Sequence, residues 1–357
     1  MAKFHTLTIA DIRRETADAV SISFDVPSTL KEEYKYIQGQ YLTLKLLING
    51  QELRRSYSIC SSPNENELRI AVKKVKDGKA SNYLNDIAKK GDRMDVMTPM
   101  GNFYSNTSTS AKKHYVLFAG GSGITPMMSI IKTNLETEPT CSISLFYANL
   151  NEEATIFKKQ LDNLVAANNG RIKLYYLLDK PNTQIPELHK GIMTNEKVKA
   201  LFENYIGLNA DNEYFVCGPG PMMENVKNAL IELKIDSNLI HIEYFTAVIE
   251  ATKAQTSGTS GDSSISHIKV ILDGSETEFD LSSDGAVILD AALDAGVDVP
   301  FACKGAVCCT CRAKLVEGKV KMDANYALTD SEVKAGFILT CQSHPLTPVV
   351  VVDYDQQ

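Results

Sequence analysis

The chain has 357 residues, 44% of them hydrophobic, with 44 acidic and 37 basic side chains and a net charge of −7. That length suggests two or three domains, and that apolar content is enough for ordinary globular cores, so disorder is not expected. No apolar run approaches the roughly 20 residues that span a bilayer. The start, Met1–Thr6, lacks the charged-then-apolar pattern of a secretory signal, so the sequence predicts a cytoplasmic protein with no membrane role.

The charge is unevenly placed. From Ser266 to Gln357 there are 14 acidic and 7 basic residues, so this region carries the whole excess. An acidic face argues against nucleic acid as a partner. It suits docking to a basic patch on a protein, or is simply solvated surface.

Taken in order, the chain falls into three blocks at roughly 1–106, 112–247 and 266–357. Short alternating runs such as Ser21–Val26 and Tyr41–Leu46, separated by turn residues, predict antiparallel β-structure in the first. A soft break follows at Ser105–Lys113. The second block alternates strand-like and helix-like segments. Strands are predicted at Tyr115–Ala119, Ser142–Ala148, Ile172–Leu178 and Tyr214–Val216, with a helix over Glu152–Ala166. That is an open parallel α/β pattern, in which ligands bind at the carboxyl ends of the strands. A linker is predicted at 248–265, where Ala251–Ser266 is rich in Ser, Thr and Gly. The third block opens with the strand His267–Leu272, a turn at Asp273–Gly274 and a second strand. A helix-like stretch, Val287–Ala295, then leads into a cysteine loop.

Five of the eight cysteines lie in that third block, and the other three, Cys60, Cys141 and Cys217, are scattered. In a cytoplasmic protein such a cluster reads as a metal site, not a disulfide framework. The spacing Cys303-x4-Cys308-x2-Cys311, with Cys341 30 residues later, is the ligand spacing of plant-type [2Fe–2S] ferredoxins. A four-cysteine zinc site is the alternative, but such sites usually pair two C-x2-C units and only one is present. Gly305 and Ala306 are small enough for a tight loop whose N–H groups point at sulfur. Cys309 reads as a small filler between ligands.

Four further motifs have weaker readings. Gly120-Gly121-Ser122-Gly123-Ile124-Thr125-Pro126 follows a strand and opens a helix, so it is either a phosphate cradle or only a turn. Cys217-Gly218-Pro219 follows another strand, where the thiol is either buried structure or lies beside a nicotinamide ring. Arg55-Ser56-Tyr57-Ser58 offers a cation for pyrophosphate, a ring face for stacking and a hydroxyl for a ring nitrogen. Lys79–Tyr83 reads as a helix start with free amides or as a plain cap.

The order of these motifs resembles the ferredoxin–NADP⁺ reductase superfamily with a fused plant-type ferredoxin, over essentially the whole chain. The segments Cys303–Val307, Lys321–Leu328 and Gly336–Ser343 are most similar to the reductase subunits of ring-1,2-phenylacetyl-CoA epoxidases. The resemblance implies an antiparallel β-barrel FAD domain, an α/β Rossmann-like nucleotide domain and a C-terminal β-grasp ferredoxin domain. It implies that Arg55 holds the FAD pyrophosphate, that Tyr57 stacks on the flavin and that Ser58 bonds near its N5, with Val72 and Lys73 lining the ring. Gly78, Ala80, Ser81 and Asn82 would meet FAD phosphate through backbone amides. Gly120 to Pro126 would cradle the nicotinamide nucleotide, and Cys217, Gly218 and Pro219 would flank its ring. Glu243 and Phe245 would stand beside the flavin, and Cys303, Cys308, Cys311 and Cys341 would hold the cluster. Tyr57, Ser58 and Cys217 are then the catalytic candidates. Hydride would pass from nicotinamide to flavin and single electrons to the cluster, then to the diiron oxygenase subunits of a multicomponent epoxidase acting in phenylacetate breakdown. The reductase of another multicomponent oxygenase, or a non-catalytic carrier or zinc-binding scaffold, are the alternatives. NADPH is the implied donor. Asn149-Leu150-Asn151 stands where an arginine is common in NADPH users, and after the next strand Lys180 could meet a 2′-phosphate while Asp179 would repel it, which leaves NADH open.

Overall fold

The structure is a computed structural model that describes residues 3–110, 112–207, 211–245 and 264–356. It comprises two compact units, Phe4–Glu243 and Tyr244–Gln357. The expected linker, apart from its last two residues, lies outside the described residues.

The first unit begins with strands β1 (Phe4–Thr16), β2 (Ala19–Asp25), β3 (Tyr41–Ile48), β4 (Gln51–Ser58) and β5 (Leu68–Lys73). Helix α1 (Lys79–Asp86) and strand β6 (Arg93–Met97) complete the set. The six strands form one antiparallel sheet in the order β4-β3-β6-β1-β2-β5. Its two edges meet through a bridge between Ile59 and Ile70 and the bond from Cys60 N–H to Arg69 O (2.8 Å), which curls the sheet into a barrel. Alternation along each strand turns Leu42, Leu44, Ile22, Ile70 and Val96 into the interior. The β3–β4 hairpin turns at Asn49 (φ 52°) and Gly50 (φ 75°), the pair of positive φ angles that matches strand twist.

The same unit continues with a second sheet. Strand β7 (His114–Gly120) is followed by α2 (Ile124–Thr137), β8 (Ser142–Asn149), α3 (Lys158–Ala167) and β9 (Ile172–Leu178). Then come α4 (Asn195–Tyr205), β10 (Asn212–Cys217), α5 (Gly220–Glu232) and β11 (Ile240–Glu243). All five strands are parallel, in the order β11-β10-β7-β8-β9. β7 is a continuous apolar run because both faces are covered, and Tyr115–Ala119 are fully buried. Burying a ring such as Phe118 or Phe215 stabilises the fold by roughly 1.5–3 kcal/mol each. The chain reverses its winding between β7 and β10, which opens a crevice at their carboxyl ends.

The helix expected over Glu152–Ala166 forms only from Lys158. Upstream, Asn151 accepts from Ala154 N–H through its side chain (3.0 Å) and from Thr155 Oγ1–H through its carbonyl (3.0 Å), and Phe157 sits in the left-handed region (φ 61°). These local bonds compete with the helix. The Glu152 carboxylate is drawn instead to Asn182 N–H (2.9 Å) and to Thr183 N–H (3.1 Å) and Oγ1–H (2.7 Å), which holds it well below the usual range, at about 2.

The second unit contains β12 (Ile265–Leu272), β13 (Ser275–Ser282), α6 (Ile288–Asp294) and β14 (Arg312–Glu317). It continues through β15 (Val320–Met322), α7 (Asp330–Lys334), β16 (Phe337–Leu339), β17 (Ser343–Pro345) and β18 (Val349–Asp353). The main sheet runs β13-β12-β18-β14-β16, with β12 and β18 parallel and the other neighbours antiparallel. Asp273 (φ 52°) and Gly274 (φ 72°) make the expected hairpin turn. Helix α6 packs Ile288, Leu289 and Ala292 into this core, a sheet grasping a helix, and the chain then runs directly into the cysteine loop.

Candidate functional site

Two motifs of the first unit, joined by Ser58 of a third, meet at the carboxyl ends of β7 and β10. The glycine-rich turn after β7 and the Cys-Gly-Pro turn after β10 pack backbone against backbone. A Cβ on Gly123 would stand 2.0 Å from Cys217 O, one on Gly218 3.0 Å from Gly120 N, and one on Gly120 2.6 Å from Pro219 Cδ. Three of these glycines are therefore required by close packing of the two turns. Gly121 differs: it has φ 52° and open space around its Cβ position. The turn leads straight into α2, whose first-turn amides face the crevice end.

Cys217 is the last residue of β10. Its register partners are Ala119 on β7 and Glu243 on β11. The thiol is completely buried, and burial, then the nearby Glu243 charge, pushes its pKa far up, so it is no thiolate. Glu243 in turn accepts a hydrogen bond from Ser58 Oγ–H at 3.1 Å. Burial raises its carboxyl to about 8, against the opposing pull of that bond. Ser58 closes β4 in the barrel, so three expected site residues from three distant segments meet here.

On β4 the side chains alternate. Arg55 and Tyr57 share one face, Ser56 and Ser58 the other. Arg55 is exposed and donates to its neighbour's carbonyl, Arg54 O, at 2.7 Å, whereas Arg54 is buried and paired with Glu52 (2.8 Å). Tyr57 is half-buried, and burial pushes its phenol far up. Val72 is buried on β5, and its carbonyl accepts from Asn85 Nδ2 (3.1 Å). Lys73 pairs with Asp18 at 3.5 Å.

The α1 start differs in part from expectation. Gly78 is its N-cap, with no side-chain cap. Asn82 N–H bonds Gly78 O (3.1 Å) and is spent inside the helix. The Ser81 hydroxyl accepts from Val75 N–H (3.1 Å) and donates to Gly78 O (3.4 Å). Backbone N–H groups at the Ala80 and Ser81 end of the turn are thus the ones suited to an anion, and the Asn82 amide is not. Phe245 is exposed and belongs to the second unit's span.

None of the eight cysteines is in a disulfide, the five of the second unit included. Cys308 Sγ lies 3.1 Å from Cys303 Sγ, and Cys311 contacts Cys341, so the four thiols form two pairs. In each pair one thiol is held below its ordinary value, Cys303 by the Cys308 thiol and backbone N–H groups, and Cys341 by the Cys311 thiol and the Ala306 N–H. Gly305 N–H reaches Cys303 Sγ at 3.3 Å. The tight loop is made by Lys304 (φ 50°) and Ala306 (φ 62°), not by Gly305 as its size suggests. Left-handed residues alternating with ordinary ones turn successive N–H groups the same way, an anion-binding arrangement. Among the described residues no three His, Cys, Asp or Glu side chains gather as tightly as a single ion requires. Two thiol pairs set in a ring of amides fit a binuclear cluster. Cys309 Sγ points away and donates to Ala327 O (3.3 Å).

The spacing missed two contributors. Gln342 contacts both thiol pairs' loops, and Tyr354 Oη–H bonds Thr340 Oγ1 (2.7 Å), which donates to Cys311 O (2.9 Å). Neither belongs to a ligand motif, so only folding reveals them.

Comparison with known proteins agrees with this layout. Residues 6–104 match the oxidoreductase FAD-binding domain, 117–228 the oxidoreductase NAD-binding domain and 270–346 the 2Fe-2S iron-sulfur cluster binding domain. The chain is 39% identical to one component of the 1,2-phenylacetyl-CoA epoxidase of Escherichia coli (strain K12), covering 99% of each. It is 35% identical to the ferredoxin reductase component of 3-ketosteroid-9-alpha-monooxygenase of Mycobacterium tuberculosis (strain ATCC 25618 / H37Rv), covering 98% of this chain and 96% of that one. Among solved structures, phthalate dioxygenase reductase superimposes with a TM-score of 0.59 at 25% identity over 98% of both chains. With an FAD-binding barrel, a nucleotide-binding α/β sheet and a [2Fe–2S] domain in one chain, the protein belongs to the flavin oxidoreductases that serve oxygenases as their reductase components.

Proposed function

We propose that this reductase carries electrons from a nicotinamide nucleotide to the diiron oxygenase subunits of a phenylacetyl-CoA epoxidase. The convergence of Ser58, Glu243 and Cys217 at one crevice carries the first half of that reading. The second half is supported by 39% identity to the epoxidase component over its whole length.

Arg55 and the free amides at Ala80 and Ser81 would hold the FAD pyrophosphate, with Gly78 keeping the approach open. Tyr57 would cover the flavin ring, with Val72 and Lys73 along its edge. When bound, FAD supplies an acceptor of two electrons that can release them singly, and the cluster a one-electron relay. The chain's own task is alignment. Gly120–Pro126 would seat the nucleotide phosphates, and Cys217, Gly218 and Pro219 would set the nicotinamide against the flavin. Cys217 stays a neutral thiol and acts by shape, not as a nucleophile. Ser58 Oγ, whose hydrogen is directed to Glu243, would offer its lone pairs beside the flavin's N5, the atom that takes up the hydride. Cys303 and Cys308 would hold one iron, and Cys311 and Cys341 the other.

A second reading of the donor rests on the rim of β8 and β9. Asp179 N–H bonds Asn149 O (3.1 Å) and Lys180 N–H bonds Leu150 O (2.7 Å), so the two strand ends lie side by side. Asp179 at the end of β9 suits a ribose 2′-hydroxyl, which favours NADH over the 2′-phosphorylated NADPH of the family.

The test is reconstitution. Purified holoprotein with a phenylacetyl-CoA oxygenase component should support epoxidation, first with NADH and then with NADPH. Support for a ketosteroid monooxygenase but not for the epoxidase would move the protein to the other relative's system.

A further inference from the structure

Gln342 follows Cys341 directly. Its Nε2 donates to Lys304 O (3.3 Å) and Cys341 O (2.7 Å), and lies 3.6 Å from Cys341 Sγ. Lys304 stands one residue after Cys303 in a left-handed turn, its ammonium paired with Asp290 at 2.7 Å. One amide group therefore spans the loop of the first thiol pair and the second ligand of the other. Its two hydrogens face three acceptors, so the hydrogen on the Cys341 side is shared between carbonyl and sulfur. When the sulfur carries a cluster's negative charge it becomes the stronger acceptor.

We propose that Gln342 is a positioning residue that sets the reduction potential of the [2Fe–2S] cluster through its amide donor to Cys341 Sγ. The inference rests on Cys341 being a ligand. An N–H directed at a ligand sulfur stabilises the reduced, more negative cluster more than the oxidised one, and so raises its potential. The backbone already gives Cys303 and Cys341 such donors through Gly305 and Ala306. Gln342 adds a side-chain donor, which substitution can change without altering the loop's own amides.

The experiment is an anaerobic redox titration of the holoprotein followed by EPR, on wild type, Gln342→Leu and Gln342→Glu. Leu removes the donor at similar size, and Glu replaces it with a negative charge. The midpoint potential should fall in the order wild type, Leu, Glu. In deuterated buffer the wild-type cluster should show one exchangeable deuteron coupling more than the Leu variant, which keeps those of the backbone amides. Should Gln342→Leu come out without a cluster, Gln342→Met carries the same expectation. Coinciding potentials, or a Glu variant at or above wild type, overturn the proposal. Cys341→Ser separates the two readings. If it leaves the wild-type cluster spectrum, the ligand assignment itself fails. If it changes that spectrum while Gln342→Leu keeps the wild-type potential, only the role of Gln342 fails.

Discussion

The hydroxyl of Ser58 donates to the carboxyl of Glu243 at 3.1 Å, across 185 residues of sequence. That bond joins the last residue of the barrel strand β4 to the last residue of the nucleotide-sheet strand β11. Glu243 is also the register partner of Cys217. Backbone pairing thus fixes Glu243 against Cys217, and a side-chain bond ties Ser58 to that pair within one compact unit.

Removing the hydroxyl should therefore slow chemistry more than binding. Ser58→Ala is expected to lower the rate of nucleotide-driven flavin reduction by up to about 10²-fold, because losing its bond to Glu243 loosens the alignment of the two rings. Stopped-flow reduction of FAD-loaded protein checks this, with FAD content measured alongside. A variant that binds FAD normally and reduces it at the wild-type rate removes Ser58 from the mechanism.

The Glu243 carboxyl carries a pH dependence of stability. Its folded value, about 8, lies above its ordinary 4.5, so the folded state holds a proton that the unfolded state has lost between those values. Stability from this group is full below 4.5 and is lost as pH rises through 8. Glu243→Gln cannot ionise and should gain on wild type as pH rises from about 5 to about 9. Thermal unfolding at several pH values measures it, and a constant gap between the two proteins contradicts it.

Neighbouring glycines of one turn should respond differently. Gly123→Ala places a Cβ 2.0 Å from Cys217 O, backbone that cannot step aside, and should cost about 1–3 kcal/mol as overpacking, with loss of nucleotide affinity. Gly121→Ala has room and should cost only the left-handed conformation, about 1–2 kcal/mol. Chemical denaturation of the two variants gives the order.

Adjacent cysteines should separate in the same way. Cys308→Ser is expected to leave nucleotide-driven flavin reduction intact and to stop electron delivery to the oxygenase partner. Cys309→Ala should retain the cluster, because its thiol bonds Ala327 O and faces the core. Visible and EPR spectra of the two proteins decide it. A cluster lost from the Cys309 variant and kept in the Cys308 variant reverses the assignment.

The cysteine spacing, the glycine-rich turns and the alternation of β2 and β3 were legible in the sequence because each is a local pattern with a short-range cause. A C-x4-C-x2-C run can close on a binuclear cluster wherever it lies, and a buried parallel strand must read as an apolar run such as Tyr115–Ala119. Even the hairpin at Asp273–Gly274 needs only its own two residues. Tertiary structure decided the rest. It placed left-handed backbone at Lys304 and Ala306 instead of at the glycine between them, since the loop's amides must turn toward sulfur together. It delayed the start of α3 to Lys158, because Glu152 found partners on a loop 30 residues away. It also revealed that Gly120, Gly123 and Gly218 serve the packing of two turns on each other, that burial pushes the Glu243 carboxyl up to about 8, and that Gln342 joins Lys304 to Cys341. Each of these depends on a contact between segments distant in sequence, and the free energy of such a contact is set by burial and geometry that no local spacing encodes.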